Sequence, residues 1–247
     1  MAQRYGPFYD NVAQVTGNSG WYGIYNSTHK VYVPVYIDQD YDGGGWVCVL
    51  ANRKFTSGMN NCTFDQAVNE CNYRTEPSGN DTTNTPALLS NLKNLGLDDV
   101  NVWVGLKFWS MFGGRKTSNK IEVAMFAAAT NGTALNATSS HSERYTFRFD
   151  DFSSSNNYSW SNASNGSIAA GSLTPGLYSY TNRPLTTYDA DNDTNSGNCS
   201  TYYNNNPWWY GSCWSGNMFA GGGYSDGPYW TSSSSTYLRQ YMAVYIK

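Results

Sequence analysis

Charge is scarce in this chain. Asp, Glu, Lys and Arg make up 13% of its 247 residues and the net charge is −3, against about 25% charged residues in an average globular protein. Lys and Arg form no stripe, which argues against a nucleic-acid partner, because affinity for phosphates rests on clustered cations. Long apolar runs are missing as well. No stretch approaches the roughly 18 apolar residues of a spanning helix, so no membrane insertion is expected. The opening Met1-Ala2-Gln3-Arg4-Tyr5-Gly6-Pro7 lacks a basic-then-apolar start, and no signal peptide is visible. Either a leader has been removed, or the protein reaches its workplace by another route.

Chemistry-bearing motifs are equally sparse. The two histidines, His29 and His141, stand in no hydrolase context: there is no G-x-S-x-G, and His141 lies in a Ser/Thr-rich stretch. Gly221-Gly222-Gly223 has no following Lys to hold a phosphate. Asp150 and Asp151 are neighbours on an expected strand end and face opposite ways, which does not suit a glycosidase pair. No C-x-x-C spacing occurs, so zinc is not expected. The chain reads as non-catalytic.

What is abundant is aromatic and small polar. Aromatics reach 16%, with 21 tyrosines and 24 glycines, and Asn, Ser and Thr fill much of the remainder. Tyr, Ser, Gly and Asn are the residues of binding loops, since rings give contact area at low entropic cost while amides and hydroxyls adapt. A β-rich protein with polar turns shares the same bias. Of the five cysteines, Cys199 and Cys213 bracket Trp208-Trp209-Tyr210 and are expected to pair if the protein matures outside a reducing cytosol. Such a staple contributes about 3 kcal/mol in the chain-entropy model. Cys62 and Cys71 are either a second pair or free thiols, and Cys48 is a small buried hydrophobe. The sequons Asn192-Asp193-Thr194 and Asn198-Cys199-Ser200 fall in a crowded acidic loop, where a glycan would interfere; this argues against passage through a glycosylating compartment.

Residues 1–20 read as an arm, with aromatics such as Phe8 to dock it. Val31, Val33, Val35 and Ile37 alternate as a strand, followed by a turn through Gly45 and a buried run from Trp46 to Leu50. Thr63 and Gln66 form a capping box for a helix over 63–72, and Pro86 to Leu95, stopped by Gly96, is a second helix. Val100 to Lys107, Ile121 to Ala129, Tyr145 to Asp150 and Tyr241 to Ile246 are expected strands, with a long polar loop over 153–172. The class is α+β, a strand-dominated antiparallel sheet with short helices, as a single domain over 21–247.

Asp189, Asp191 and Asp193 alternate within Tyr188-Asp189-Ala190-Asp191-Asn192-Asp193-Thr194-Asn195-Ser196-Gly197. The spacing imitates an EF-hand, but Thr194 and Ser200 stand where its Gly and bidentate Glu belong. In an extended segment alternate carboxylates point the same way, so these can converge on one Ca²⁺ with carbonyls completing the shell. The alternative is a solvated acidic turn.

Together, Leu185 to Asp193, Gly197-Asn198-Cys199, Trp208-Trp209-Tyr210 and Cys213 resemble the C-terminal part of the fibrinogen-related domain shared by ficolins, tachylectins and fibrinogen chains. Asp42-Gly43-Gly44-Gly45-Trp46, Val102 to Leu106, Tyr145 to Phe152 and Tyr224 to Trp230 resemble further elements of that family. The resemblance implies one calcium ion held by the side chains of Asp191 and Asp193 and the main-chain oxygens of Asn195 and Gly197. It implies the Cys199–Cys213 disulfide and a pocket beside it, with a cis bond at Ser212-Cys213. Trp214, Tyr224, Ser225, Tyr210 and Trp230 are the ligand-binding candidates, with Trp208, Trp209 and Trp230 equally readable as core. Ser225 stands where fibrinogen carries an acidic residue for a peptide amine. The implied ligand is acetylated, such as an N-acetylated sugar of a cell-surface glycan, met by aromatic faces and amides. The family's early disulfide is absent, and residues 56–97 depart from its pattern.

Two roles follow: a calcium-dependent, lectin-like module, or a structural or attachment component of a virion or other particle. Either places the protein extracellularly or on a virion surface. A homo-oligomer or larger assembly is expected, because weak sugar sites gain from avidity.

Overall fold

The computed structural model describes residues 8–52, 59, 61–71, 73, 89, 92, 95–97, 100–113, 152–160, 182–213, 217 and 242–247 in full, and the backbone of 53, 72, 74–75, 121–128, 142–149, 164–170, 216, 229–231, 236–238 and 241. Alternating β-branched residues set the first hairpin, β2 (Gly20–Asn26) against β3 (Val31–Asp38). Val33, Val35 and Ile37 are fully buried, as period-2 alternation requires. Residues read as an arm join this hairpin: β1 (Phe8–Tyr9) pairs in parallel with β2, and Val12 and Val15 enter the core. The Phe8 ring lies over Gly23, where a Cβ would collide with it.

After β3 the chain reverses on an Asp-and-glycine turn. The Asp38 carboxylate accepts the N–H groups of Asp40 (3.0 Å) and Tyr41 (2.9 Å), an arrangement open to short acidic side chains. Gly43, Gly44 and Gly45 all take positive φ, at 76°, 71° and 74°. A Cβ at Gly44 would sit 2.9 Å from the Gln39 carbonyl oxygen, so glycine is required there on both counts. The turn delivers β4 (Trp46–Arg53) to the sheet centre, between β3 and β13 (Tyr241–Ile246).

Among the described residues ten strands form one sheet. Its main order is β1-β2-β3-β4-β13-β7-β8-β9, with β7 at Ile121–Ala128, β8 at Ser142–Phe149 and β9 at Ser164–Ala170. β5 (Asn72–Thr75) pairs with β6 (Val100–Trp103), which also pairs with β4. A smaller sheet joins β10 (Gly216–Asn217), β11 (Tyr229–Thr231) and β12 (Thr236–Leu238).

Three local expectations are corrected. The first helix, α1 (Phe64–Asn69), carries the expected capping box of Thr63 and Gln66 but stops before Asn72. Glu70 turns extended and β5 follows, with Tyr73 buried. Trp103 Nε1 donates to the Ala67 carbonyl at 2.9 Å, so tertiary pairing ends the helix. The strand expected to reach Lys107 ends at Trp103, and Leu106–Met111 forms a 3₁₀ helix that buries Leu106, Phe108 and Trp109. Gly105 permits the break, for a Cβ there would meet the carbonyl oxygens of Val68 and Glu70 at 2.9 Å. Within the expected polar loop, residues 164–170 pair with β8 as β9; an available sheet edge recruited a sequence of poor strand propensity. Leu89 and Leu92 are helical, as the capped pattern over 86–95 anticipates.

The core joins this sheet to the C-terminal segment through tryptophan. Trp109 stacks on Phe152 (4.9 Å, 8°), and Trp209 meets Trp160 (4.9 Å), Trp208 (5.3 Å) and Trp109 (5.9 Å). Trp109 Nε1 donates to the Val104 carbonyl at 2.7 Å and Trp209 Nε1 to that of Tyr158 at 2.7 Å. Truncating Trp109 to alanine empties the junction of the cluster. A loss of about 3–5 kcal/mol is expected, measurable as a lower denaturant midpoint with unchanged m-value.

Candidate functional site

The acidic segment is anchored to this buried cluster. Thr186 and Trp208 exchange main-chain hydrogen bonds at 2.9 and 3.0 Å, and Thr194 N donates to the Gly211 carbonyl at 3.2 Å. The Cys199–Cys213 disulfide is formed, with a Cα separation of 5.1 Å. Cys213 has φ 58°. Gly211, between these ties, lies against the Arg183 guanidinium, into which a Cβ would run. Cys48, Cys62 and Cys71 are buried and form no disulfide, which resolves the open question about Cys62 and Cys71 in favour of thiols. Burial pushes the Cys62 thiol up to about 12, with the charges of Glu70 and Asp189 adding to it, and burial likewise raises Cys48.

Between the anchors the loop closes on itself through side-chain acceptors. Asp193 Oδ1 accepts the Asn195 N–H (2.9 Å) and Oδ2 the Cys199 N–H (2.8 Å). Asp191 Oδ1 faces the Asp193 N–H at 3.4 Å, and Asn195 Oδ1 accepts from Gly197 N at 3.1 Å. Asn198 caps the short helix α2 (Cys199–Tyr202) with Oδ1. Its Nδ2 reaches back to the Thr187 carbonyl at 2.9 Å.

Asp189 separates from the other two carboxylates. At the tip of the Thr187–Ala190 turn, its Oδ1 accepts the Phe64 N–H at 2.9 Å and the Thr187 hydroxyl at 2.7 Å. The alternation of three carboxylates therefore yields two in the loop and one committed elsewhere. Sequence offered no signal for this, because Phe64 lies 125 positions away.

The donor set suits a hard cation. A carboxylate has about four lone-pair sites, so two accepted N–H bonds leave Asp193 capacity for an ion. The Asn195 side-chain oxygen is turned into its own loop to accept the Gly197 N–H, and its main-chain oxygen stands open to an ion. Among the described residues none of the loop's hydrogen bonds ends on the main-chain oxygens of Asn195 or Gly197. Carboxylates plus carbonyls on a short, self-braced loop are what calcium coordination needs. No group of three or more His, Cys, Asp or Glu side chains converges among the described residues, so an ion here would depend on those carbonyls.

Beside the loop the aromatic residues turn inward, as the core reading of Trp208 and Trp209 has it. Trp208, Trp209 and Tyr210 are all buried, the first two as members of the tryptophan cluster. Tyr210, a ligand-binding candidate, donates its hydroxyl to the Asn206 carbonyl (3.1 Å) and receives Asn217 Nδ2 (2.7 Å). It supports the half-buried Tyr203, stacked on it at 5.7 Å and 19°. The buried Asn206 Oδ1 has no hydrogen-bond partner. Tyr188 and Tyr202, at 36% and 66% exposure, are the exposed large hydrophobics among the described residues, and both border the loop; neither stood out in the sequence. The Tyr202 hydroxyl lies 3.0 Å from where a Gly197 Cβ would be. The backbone at Trp230 lies in β11, paired with Gly216 and Tyr237. Trp214, Tyr224 and Ser225 lie outside the described residues.

Comparison with known proteins agrees with this architecture. The family model for the C-terminal globular domain of fibrinogen beta and gamma chains matches residues 8–237. Human ficolin-3 is 38% identical over 53 residues, an alignment covering 22% of this chain and 17% of ficolin-3. The fibrinogen-like globe domain of human ANGPTL6 superposes with a TM-score of 0.66 at 20% identity, covering 100% of this chain and 98% of that one. That of human ANGPTL2 gives 0.65 at 17% identity, covering 96% and 95%. Lamprey fibrin D-dimer complexed with the peptide Gly-His-Arg-Pro-amide gives 0.63 at 15% identity, covering 97% of this chain and 73% of that one.

Proposed function

The chain belongs to the family of the fibrinogen C-terminal globular domain, and from that premise we propose that it is a non-catalytic, calcium-ordered binding module for acetylated groups of surface glycans. The observation that carries this reading is the loop from Asp191 to Cys199. There two carboxylates and two uncommitted carbonyls are held together by internal hydrogen bonds, and the loop is stapled by disulfide to the segment that carries Tyr210. Asp191 and Asp193 would hold the ion by side-chain oxygens, Asn195 and Gly197 by main-chain oxygens. The ion's charge would offset the like charges of the two aspartates. With the loop so fixed, Tyr203, backed by Tyr210, would present one ring face, and Trp214, Tyr224, Ser225 and Trp230 are the further ligand-binding candidates that the family resemblance offers. Aromatic faces meet sugar C–H groups or an acetyl methyl, and amides meet its oxygens.

Similarity to ficolin-3 supports a role outside the cell. No helix among the described residues is long and apolar enough to cross a membrane. An oligomer would multiply weak sites by avidity.

The reading is tested on a glycan array with calcium and with EGTA. Acetylated glycans are expected to be retained in calcium and lost on chelation. Calcium at about a hundredfold its dissociation constant adds about 2.7 kcal/mol of stability, so EGTA should lower Tm by about 5–10 °C in a chain of this size. A blank array together with stable incorporation into particles would support the structural role instead. Binding indifferent to EGTA would remove the ion from the proposal.

A further inference from the structure

The contact between Asp189 and Phe64 joins two regions far apart in sequence, and it does not stand alone. Asn61 N donates to the Asn205 carbonyl at 3.1 Å, and Asn205 Nδ2 donates to Asn61 Oδ1 at 2.7 Å. The segment 61–64 is thus tied to the acidic loop at Asp189 and to the turn after α2 at Asn205. Thr63 Oγ1 serves the Gln66 N–H (3.1 Å) and leaves the Phe64 N–H to Asp189. Cys62 lies between the two ties, only 7% exposed, and Asp189 is close enough to raise its thiol. Two residues beyond Asp189 stands Asp191, facing the Asp193 N–H.

We propose that Asp189 is a positioning residue that couples the acidic loop to the 61–64 segment, so that ion binding and the packing over Cys62 form one linked equilibrium. The strut itself rests on geometry alone; its link to the ion rests on the calcium reading above. If an ion fixes Asp191 and Asp193, the short turn to Asp189 is fixed with them, and the Phe64 N–H keeps its acceptor. Linkage makes the effect mutual: holding the 61–64 segment in place favours the ion by the same factor.

Cys62 reports on the coupling directly, through its rate of alkylation by iodoacetamide mapped by mass spectrometry. Cys48 and Cys71, both fully buried, are internal references. In the unaltered protein, saturating calcium is expected to slow Cys62 labelling severalfold relative to EGTA. Asp189→Ala should label at Cys62 about tenfold faster in EGTA, as expected for loss of a charge-assisted hydrogen bond that closes a local opening, and calcium should no longer protect it. Calcium titration of the variant should show the same stoichiometry with weaker affinity. Asp189→Asn keeps an acceptor oxygen for Phe64 and should restore most of the protection.

Labelling of Asp189→Ala at the unaltered rate would overturn the strut. Complete loss of calcium binding in that variant would overturn the positioning role, making Asp189 an ion ligand. Should Asp189→Ala expose all three thiols together, Asn61→Ala decides, because losing the Asn61 Oδ1 acceptor weakens the second tie to its main-chain bond and must accelerate Cys62 alone. If the unaltered protein binds no calcium, the ion reading and the link to it fail, while the comparison in EGTA still judges the strut.

Discussion

Asp193→Ala is expected to abolish calcium retention and glycan binding together. This carboxylate has two duties: it is one of the two side chains offered to the ion, and it accepts the N–H groups of Asn195 and Cys199. Cys199 is buried, so its N–H loses an acceptor that water replaces poorly, at a cost of about 1–3 kcal/mol. Replacing residues that only orient metal ligands costs about 10–100-fold in affinity, so losing a ligand that also braces its loop should exceed a hundredfold. Isothermal titration with calcium reads the effect directly. Asp193→Asn separates the duties, for it keeps an acceptor for one main-chain N–H while removing the charge, and it should recover stability without recovering calcium. An unchanged titration in Asp193→Ala would place the ion elsewhere.

The second large effect concerns the disulfide. Cys199 and Cys213 close a loop of sequence separation 14, worth about 3 kcal/mol in the chain-entropy model. For a chain of this length each kcal/mol moves Tm by about 2–4 °C. The double replacement Cys199→Ser/Cys213→Ser should therefore lower Tm by about 6–12 °C. Since the other three cysteines form no disulfide, a reducing agent acts on this bond alone and should reproduce the shift in the unaltered protein. Calcium affinity should fall as well, because Cys199 N and Gly211 O, both hydrogen-bonded into the loop, lose their fixed spacing. A reduced protein that melts at the same temperature would show that the main-chain ties to Trp208 and Gly211 suffice.

How far the sequence carried the structure depends on the range of the interaction involved. Alternation of Val31, Val33, Val35 and Ile37, the Thr63–Gln66 capping box and the glycines at 43–45 are local codes, and each produced its element. Failures occurred where a distant partner decided. Residues 164–170 became a strand because β8 lay alongside, and α1 stopped early because β6 claimed residues 72–75. At the site, the pairing of Cys199 with Cys213 was legible from the residues they bracket. The division of labour among the aspartates was not, since the acceptor needed at Phe64 is invisible until the chain folds. Trp208 and Trp209 show a further limit: adjacent aromatics near a polar loop read as surface or as core, and here a cluster with Trp109 and Trp160 drew both inward.

The place of β13 has a consequence for how the molecule comes into being. Residues 241–246 lie between β4 and β7, so the hairpins on one flank and the β7–β9 meander on the other share no ladder until that strand arrives. During synthesis both flanks therefore wait with an unpaired border, open to strand exchange with neighbouring molecules. Closure of the sheet therefore waits for β13, which follows every other strand of the sheet in chain order and fuses two half-sheets into one.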